Sequence, residues 1–574
     1  MRYLKIIIVT ALLTTAVACS KQLDSLLDNP NAPSLGTADV DLLLNNVQLS
    51  FAGFFDGASN DGGQLTRQQA WFGPIYQNGY SPNSFDGYWN TAYTSIIKNA
   101  NALIPLAQKQ NRFIASGMAK FMKAYALGVL VDAFGDVPYT EANTGLAQTS
   151  PKVDPAASVY AAAIALYDDA IVDFSKSSAA PGADLFYGGN KTKWITAAKT
   201  MKFKMLMQTR KVDATAAAKI QALVTAGDLI TTAANDFNFQ YGTNRTTPDS
   251  RHPDYGGNYN SSGSVGEYMA DYFMWAIASE KLGTACASNG SSGCDISGTS
   301  KTTKTTLDPR QRYYFYRQNT SSANVNSVTL SCSIEAPPAH YKAGEPFCYV
   351  GAGYWGRDHG DNSGTPPDGS YRTTWGIYPA GGAFDDDAAV KVSLEMGGKG
   401  AGILPIWNSE FTHFKLAEAA LTGVITGGAT AARASLATAL ANNMAKVTGF
   451  AAKVGITPSA TYAATSATIT NYINLVLAQY DAAATDAAKL DIVGKEFYLA
   501  TWGNGWEAYN NYRLNGTPRN LQGNKYAANP GFFIRSFFYP SVFMNRNLNA
   551  PAQRTLGTAV NKVFWDNNPD NFIK

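Results

Sequence analysis

The chain has 574 residues, carries 46 Lys and Arg against 43 Asp and Glu, and is 45% hydrophobic. That apolar share can fill one large core or two to three fused ones. The near-neutral charge balance excludes the basic footprint of a nucleic-acid binder.

Arg2 and Lys5 precede an apolar run from Ile6 to Leu13, broken only by Thr10, and then Ala16-Val17-Ala18 before Cys19 and Ser20. This order is that of a secretory signal, and the run is too short to span a bilayer. Cys19 directly after small residues makes it a bacterial lipoprotein site, although Ala16 stands where Leu is usual. Residues 1–18 are expected to be removed, leaving a lipidated Cys19 whose acyl chains suffice for stable anchoring. The mature balance is then 44 basic to 43 acidic residues. No further apolar run of about twenty residues is read downstream, so the lipid is the expected membrane attachment. Residues 19–36, with Asp28-Asn29-Pro30-Asn31-Ala32-Pro33-Ser34, are turn chemistry and read as a tether. A single domain is expected over 37–574.

Trp71, Phe72, Tyr76, Tyr80, Phe85, Tyr88 and Trp89 crowd a short stretch that also carries Asn78, Asn83 and Asp86. Pro74, Gly79, Pro82 and Gly87 keep its first part out of a regular helix. Aromatic faces stack on sugar C–H faces or peptide side chains, and Asn or Asp fixes orientation. Tyr88, Trp89 and Tyr93 open a helix and read as core; for Trp71, Tyr76 and Tyr80, packing and ligand stacking remain equal alternatives.

Apolar residues then recur at three and four through Met118 to Val131, and again from Val159 to Phe174, with Asp154 as expected N-cap and Pro155 at N1. The spacing continues through Trp194 to Met205, Phe411 to Leu421, Ala431 to Val454 and Ile469 to Ala484. These amphipathic helices must pack on one another, which predicts a predominantly α fold.

Between them, residues 240–400 form a loop-rich insertion, abundant in Gly, Tyr, Asn, Asp, Ser and Pro, with a few short strands expected. Connections this long are functional or disordered, and its aromatics argue for order. It holds Cys286, Cys294, Cys332 and Cys348. Three pairings are open; the two local ones close the smallest loops. Zinc held by the four cysteines is a lesser alternative, since C-x2-C spacing is absent.

Gly351-Ala352-Gly353-Tyr354-Trp355-Gly356 matches G-x-G-x-x-G, but Arg357-Asp358-His359-Gly360-Asp361 and a Pro-Pro pair follow instead of a helix, so no dinucleotide is expected. Asp358, His359, Asp361, Asn362 and Asp368, with the run 385–387, gather oxygens of the type calcium takes, at no fixed ligand spacing. A polar loop ordered by Asx turns is preferred, and no cofactor is expected. G-x-S-x-G, H-E-x-x-H and Walker A motifs are absent.

Several segments together resemble the SusD/RagB nutrient-binding outer-membrane lipoproteins of Bacteroidota, in the SusD-like branch. They are Asn29-Pro30-Asn31; Trp89-Asn90 with Tyr93 and Asn101; Lys123-Ala124-Tyr125 through Gly135-Asp136-Val137-Pro138-Tyr139; and Lys193-Trp194. Asp308-Pro309-Arg310, Leu404-Pro405-Ile406, Ala417-Glu418-Ala419-Ala420, Trp506-Glu507-Ala508-Tyr509, Tyr512-Arg513, Gly516 with Pro518, Tyr539-Pro540, Asn545 and Phe564-Trp565-Asp566 continue the series. Arg513-Leu514-Asn515-Gly516 departs from the usual Arg-Arg-Thr-Gly, and Ser536-Phe537-Phe538 stands where many members carry Arg.

The resemblance implies tetratricopeptide-like helix pairs beneath a variable ligand face. It further implies a non-catalytic protein that takes oligosaccharide or peptide and serves as the lid of a SusC-like TonB-dependent outer-membrane transporter. The competing class is an exported glycoside hydrolase or other surface hydrolase using Asp358, Asp361, Glu410 or Glu418. The ligand is expected to meet Trp71, Tyr76 and Tyr80 from the N-terminal loop, and Trp355, Arg357, Asp358, His359, Asp361 and Trp375 from the insertion, around one cavity.

Overall fold

A computed structural model describes residues 39–573, apart from 74–75, 146–147, 283–307, 322–330, 342–344, 351–352, 527–532 and 556–560. Cys19 with the signal and the whole of the tether, and Cys286 with Cys294, lie outside the described residues.

The scaffold is helical from its first described turn. Helix α1 (Val40–Leu65) starts where the Asp39 carboxylate accepts from the amides of Asp41 and Leu42, satisfying donors that have no helical partner. A continuous helical run from 86 to 109 follows, π-wound over Thr91–Ile97 and ending in α2 (Lys98–Lys109). Next come α3 (Phe113–Phe134), α4 (Ala156–Ser175), α5 (Lys191–Thr209) and α6 (Ala216–Ala226). Successive members pack, α2 on α3, α3 on α4, α4 on α5 and α5 on α6, as expected of stacked helical pairs.

Helix α3 corrects the reading that no second long apolar run exists. Its 22 residues are long and apolar enough to cross a membrane by length and composition, yet its most apolar window is 94% buried inside the protein. It is the central core helix, apolar on every side because α1, α2, α4 and α5 surround it. Two of its charged groups are matched: Lys120 pairs with Asp173 at 2.6 Å, and Asp132 accepts from the Trp565 indole at 2.8 Å.

The start of α4 differs from expectation by one residue. Pro155 is the N-cap and Ala156 the first helical residue. The Ala156 amide donates to Asp136 at 2.8 Å, while the Asp154 carboxylate accepts from Tyr139 and Thr140. The carboxylate that caps the helix thus comes from the preceding loop, an arrangement adjacent-residue reasoning cannot reach.

Strand β1 (Phe237–Gln240) opens the insertion, which contains α7 (Asp271–Ala278) and the two-residue strands β2 (Phe315–Tyr316) and β3 (Thr374–Trp375). It closes with β4 (Ile403–Trp407). Because β1 and β4 pair antiparallel, Phe237 opposite Trp407 and Gln240 opposite Ile403, the insertion leaves and re-enters the scaffold at one seam. β2 and β3 pair with each other above it.

The chain then returns to helices: α8 (Ser409–Leu421), α9 (Gly428–Lys453), α10 (Ser466–Ala482), α11 (Asp486–Ala500), α12 (Gly505–Asn515) and the short α13 (Ser541–Arg546). Helix α12 crosses α1 at glycines. A Cβ on Gly62 would sit 2.3 Å from the Gly505 carbonyl oxygen, so only hydrogen there permits the approach. The Asp308-Pro309-Arg310 motif pins the insertion to the second helical half. The Arg310 guanidinium donates to Asp308 at 2.6 Å, to the Tyr472 hydroxyl of α10 at 2.9 Å and to Glu496 of α11 at 3.2 Å.

Candidate functional site

The N-terminal loop and the insertion do meet, as the sequence reading expects, but they meet by packing. Trp71 is stacked against Tyr76 and Tyr80, with ring centroids 4.8 and 5.7 Å away, and lies 5.2 Å from the His359 ring. The Gly360 amide donates to the Trp71 carbonyl at 3.0 Å, tying the two loops together. Tyr76 and His359 share a hydrogen bond of 2.9 Å between the hydroxyl and Nε2. Arg67 lies beneath, donating through Nε to the Gln522 carbonyl at 2.9 Å. Gln522 in turn donates to Asp358 at 2.7 Å, so a third loop, after α12, completes the knot.

All nine residues expected around one ligand cavity are buried, and the ring contacts of Trp71, Tyr76 and Tyr80 are with one another and with His359. Trp355 is fully covered and stacked on Tyr371 at 5.2 Å. Trp375 lies away from the Trp71 cluster, stacked 4.1 Å from Trp502. Arg357 sits over the Tyr268 ring at 4.7 Å and pairs with Asp361 at 2.9 Å. The physical reason is that a long loop without regular structure must cover its own backbone, and large rings next to glycines do this most completely.

The loop carboxylates are likewise committed internally. Asp358 accepts from the Cys348 amide at 3.0 Å as well as from Gln522; burial nevertheless raises its carboxyl to about 7. Burial also raises Asp271 well above the carboxylate range, helped by the charges of Asp358 and Asp361. Asp361 is pushed up by burial, but bonds from Ser363 and the charges of Lys525 and Arg357 outweigh this and hold it low. Burial depresses His359 far below the usual imidazole range, and the Arg67 charge adds to this. Asp368 accepts from the Tyr268 hydroxyl and from Arg372. Among the described residues no group of three His, Cys, Asp or Glu is placed to hold a metal ion.

The carboxylates considered for hydrolysis fail on access. Asp358 and Asp361 are 1% exposed. Glu418 is locked between Lys415 at 2.8 Å and Arg210 at 2.7 Å, and Glu410 lies 3.6 Å from Lys446, both inside the scaffold. No solute can reach these groups to be protonated or attacked.

What remains open above the knot is a different set of residues. Phe72 is 45% exposed and contacts Tyr268 edge-on at 5.6 Å, with the Arg357 guanidinium 5.9 Å from its ring. Successive side chains of an extended chain point to opposite sides, so burying Trp71 turns Phe72 outward; that alternation is the signal that could have selected it. Tyr526, 37% exposed, follows Lys525, which bridges Asp361 at 3.1 Å and Glu335 at 2.6 Å. Half-buried Tyr341 and exposed His340 adjoin the same loop, donating to or bonding the carbonyls of Gly523 and Asn524. Two open rings, Phe72 and Tyr526, flank buried charges and suit reversible contact with a hydroxylated or amide-rich chain. The disulfide Cys332–Cys348 backs this face; this is the local pairing expected for that pair.

Residues 30–273 match the family profile SusD-like_2, described as starch-binding and associating with the outer membrane. A comparison with curated protein sequences finds no match. Among solved structures, a SusD/RagB family protein from Bacteroides thetaiotaomicron superposes with TM-score 0.60 at 18% identity, covering 93% of this chain and 100% of the other. A SusD homologue from Bacteroides fragilis gives 0.60 at 16% identity, over 92% and 99%. A chitin-binding SusD homologue from Flavobacterium johnsoniae gives 0.55 at 18%, over 91% and 99%. Over residues 30–273 this chain is similar in sequence to the SusD-like family, and over most of its length it shares the fold of solved SusD homologues.

Proposed function

We propose that this protein captures carbohydrate at the outer membrane without chemically changing it, and hands it to a SusC-like TonB-dependent transporter for which it serves as the lid. Lipid on Cys19 anchors it at the cell surface. The family description and the chitin-binding relative support a glycan cargo. The observation that carries the reading is the pair of open rings, Phe72 and Tyr526, beside the rigid knot of Trp71, Tyr76, Tyr80 and His359. Binding groups held on a packed bed need little ordering when ligand arrives. The nine buried residues thereby act as positioning residues.

The test is glycan-array and peptide-array binding of the mature protein, followed by calorimetry with the best saccharide. Removing the ring in Phe72→Ala or Tyr526→Ala should weaken binding by roughly 1–3 kcal/mol, by analogy with stacking on other planar ligands. Selective peptide binding would replace the carbohydrate reading. Purification from detergent-solubilised outer membrane should bring down a large barrel protein, and its repeated absence would remove the lid role.

A further inference from the structure

Away from the loop face, a cavity of about 450 Å³ opens between the helical run 86–109, the loop 138–151 and α13. Its volume falls within the roughly 300–1,000 Å³ typical of small-ligand pockets. Trp89, Tyr93 and Phe543 form the floor, with Trp89 4.8 Å from each of the other two ring centroids. Phe134 backs Trp89 edge-on at 5.4 Å, and the Tyr93 hydroxyl donates to the Pro138 carbonyl at 2.7 Å, so the floor is fixed. Trp89 is 6% and Tyr93 8% exposed, which leaves narrow apolar contact. Recognition must therefore come mainly from the rim.

The rim is cationic. Lys98 and Arg546 both line the mouth, both are exposed, and no carboxylate is among the lining residues. The two nearest acids in sequence are already engaged. Asp86 accepts from the Ser541 hydroxyl and the Val542 amide, and Glu141 accepts from Gln148 and the Lys152 amide. Among the described residues no ion pair joins Lys98 or Arg546 to a carboxylate, and two such cations over a small aromatic floor attract an anion that also carries ring or C–H surface.

We propose that this pocket is a second binding subsite, specific for an anionic sugar unit bearing a carboxylate or sulfate group. The inference rests on the carbohydrate reading above and adds acidic character at a site separate from the loop face. Lys98 and Arg546 hold the anionic group, Arg546 through its paired donors, while the sugar ring lies toward Trp89 and Phe543.

The test uses tetragalacturonate, maltotetraose, chitotetraose and a tetraglutamate peptide as probes, read by calorimetry and tryptophan fluorescence at low and high salt. Lys98→Gln/Arg546→Gln is compared with Lys109→Gln/Lys453→Gln, which removes the same charge elsewhere; all four positions are exposed, so both variants should fold. Tetragalacturonate binding should weaken at least about tenfold in the first variant, remain in the second, and weaken with salt. Equal weakening of maltotetraose, equal loss in both variants, or tighter binding of tetraglutamate than tetragalacturonate would overturn the proposal. Neutral saccharides binding without any response to tetragalacturonate would overturn the pocket alone. If no saccharide binds, the carbohydrate reading itself fails and takes this inference with it.

Discussion

Trp71 and Phe72 are chemically similar neighbours with opposite fates. Trp71 is buried between Tyr76, Tyr80 and His359, whereas Phe72 is open. Trp71→Ala should therefore cost about 3–5 kcal/mol of stability, as large-to-small core changes do, while Phe72→Ala should cost less than about 0.5 kcal/mol. Urea denaturation of the two variants checks this, and equal losses would refute the assignment of inside and outside. His359 adds a pH dependence. Its folded-state pKa lies well below that of the unfolded chain, so unfolded protein takes up a proton that native protein does not. Its contribution is present above about pH 6.5 and lost as pH falls below it. His252, depressed to about 3 by burial, acts in the same direction. His359→Gln should be less stable than wild type at neutral pH, and the gap should close by roughly 2 kcal/mol on going to about pH 5. A gap that does not change with pH would show that the fold leaves His359 at its ordinary pKa and does not depress it.

At the scale of elements, the tightest requirement is the crossing of α1 and α12. A Cβ on Gly505 would fall 2.1 Å from the Gly63 amide nitrogen, against backbone that cannot rotate away. Gly62→Ala or Gly505→Ala should separate the helices and destabilise by about 1–3 kcal/mol or more. Thermal unfolding within a degree of wild type would mean the crossing relaxes easily. The segments that depart from the usual SusD-like pattern have internal partners. Arg513 still donates to the Asp132 carbonyl at 2.7 Å and the Arg535 carbonyl at 2.8 Å, and Gly516 supplies the left-handed turn that ends α12. Ser536 fills its buried position by donating to the Ala133 carbonyl at 3.2 Å. The segment between Cys332 and Cys348 is closed by their disulfide, and for a loop of this size the Cys332→Ser/Cys348→Ser variant should lose on the order of 3 kcal/mol. Proteolysis focused between these residues in the variant, with the helical scaffold intact, would locate that loss in the insertion.

For the whole molecule, a helical scaffold of stacked pairs carries one long insertion through the single β1–β4 seam. The membrane prediction concerns the N-terminus. Cys19→Ala should abolish acylation and leave soluble or uncleaved precursor, read by fractionation after a high-salt wash. Continued outer-membrane fractionation of that variant would show that a protein partner alone retains it. Helix α3 would not explain such retention, because its apolar surface is already buried by α1, α2, α4 and α5.

Helical periodicity alone located the scaffold: Val159 to Phe174, Trp194 to Met205 and Phe411 to Leu421 all fall within observed helices, since a period near 3.6 with apolar repeats has one low-energy outcome. The loop-rich stretch over 240–400 lies between β1, which ends at Gln240, and β4, which begins at Ile403. Which aromatic residues face outward was not legible. Trp71, Trp355 and Trp375 have the composition of a binding surface, and only contacts with Tyr80, Tyr371 and Trp502, distant or unpredictable in sequence, show them to be core. The cationic pocket was hidden for the same reason, since Lys98 and Arg546 are separated by most of the chain and become neighbours only when α13 folds back beside the helix that starts at 86. Local spacing determines element type, whereas burial and the meeting of remote side chains are properties of the closed tertiary structure.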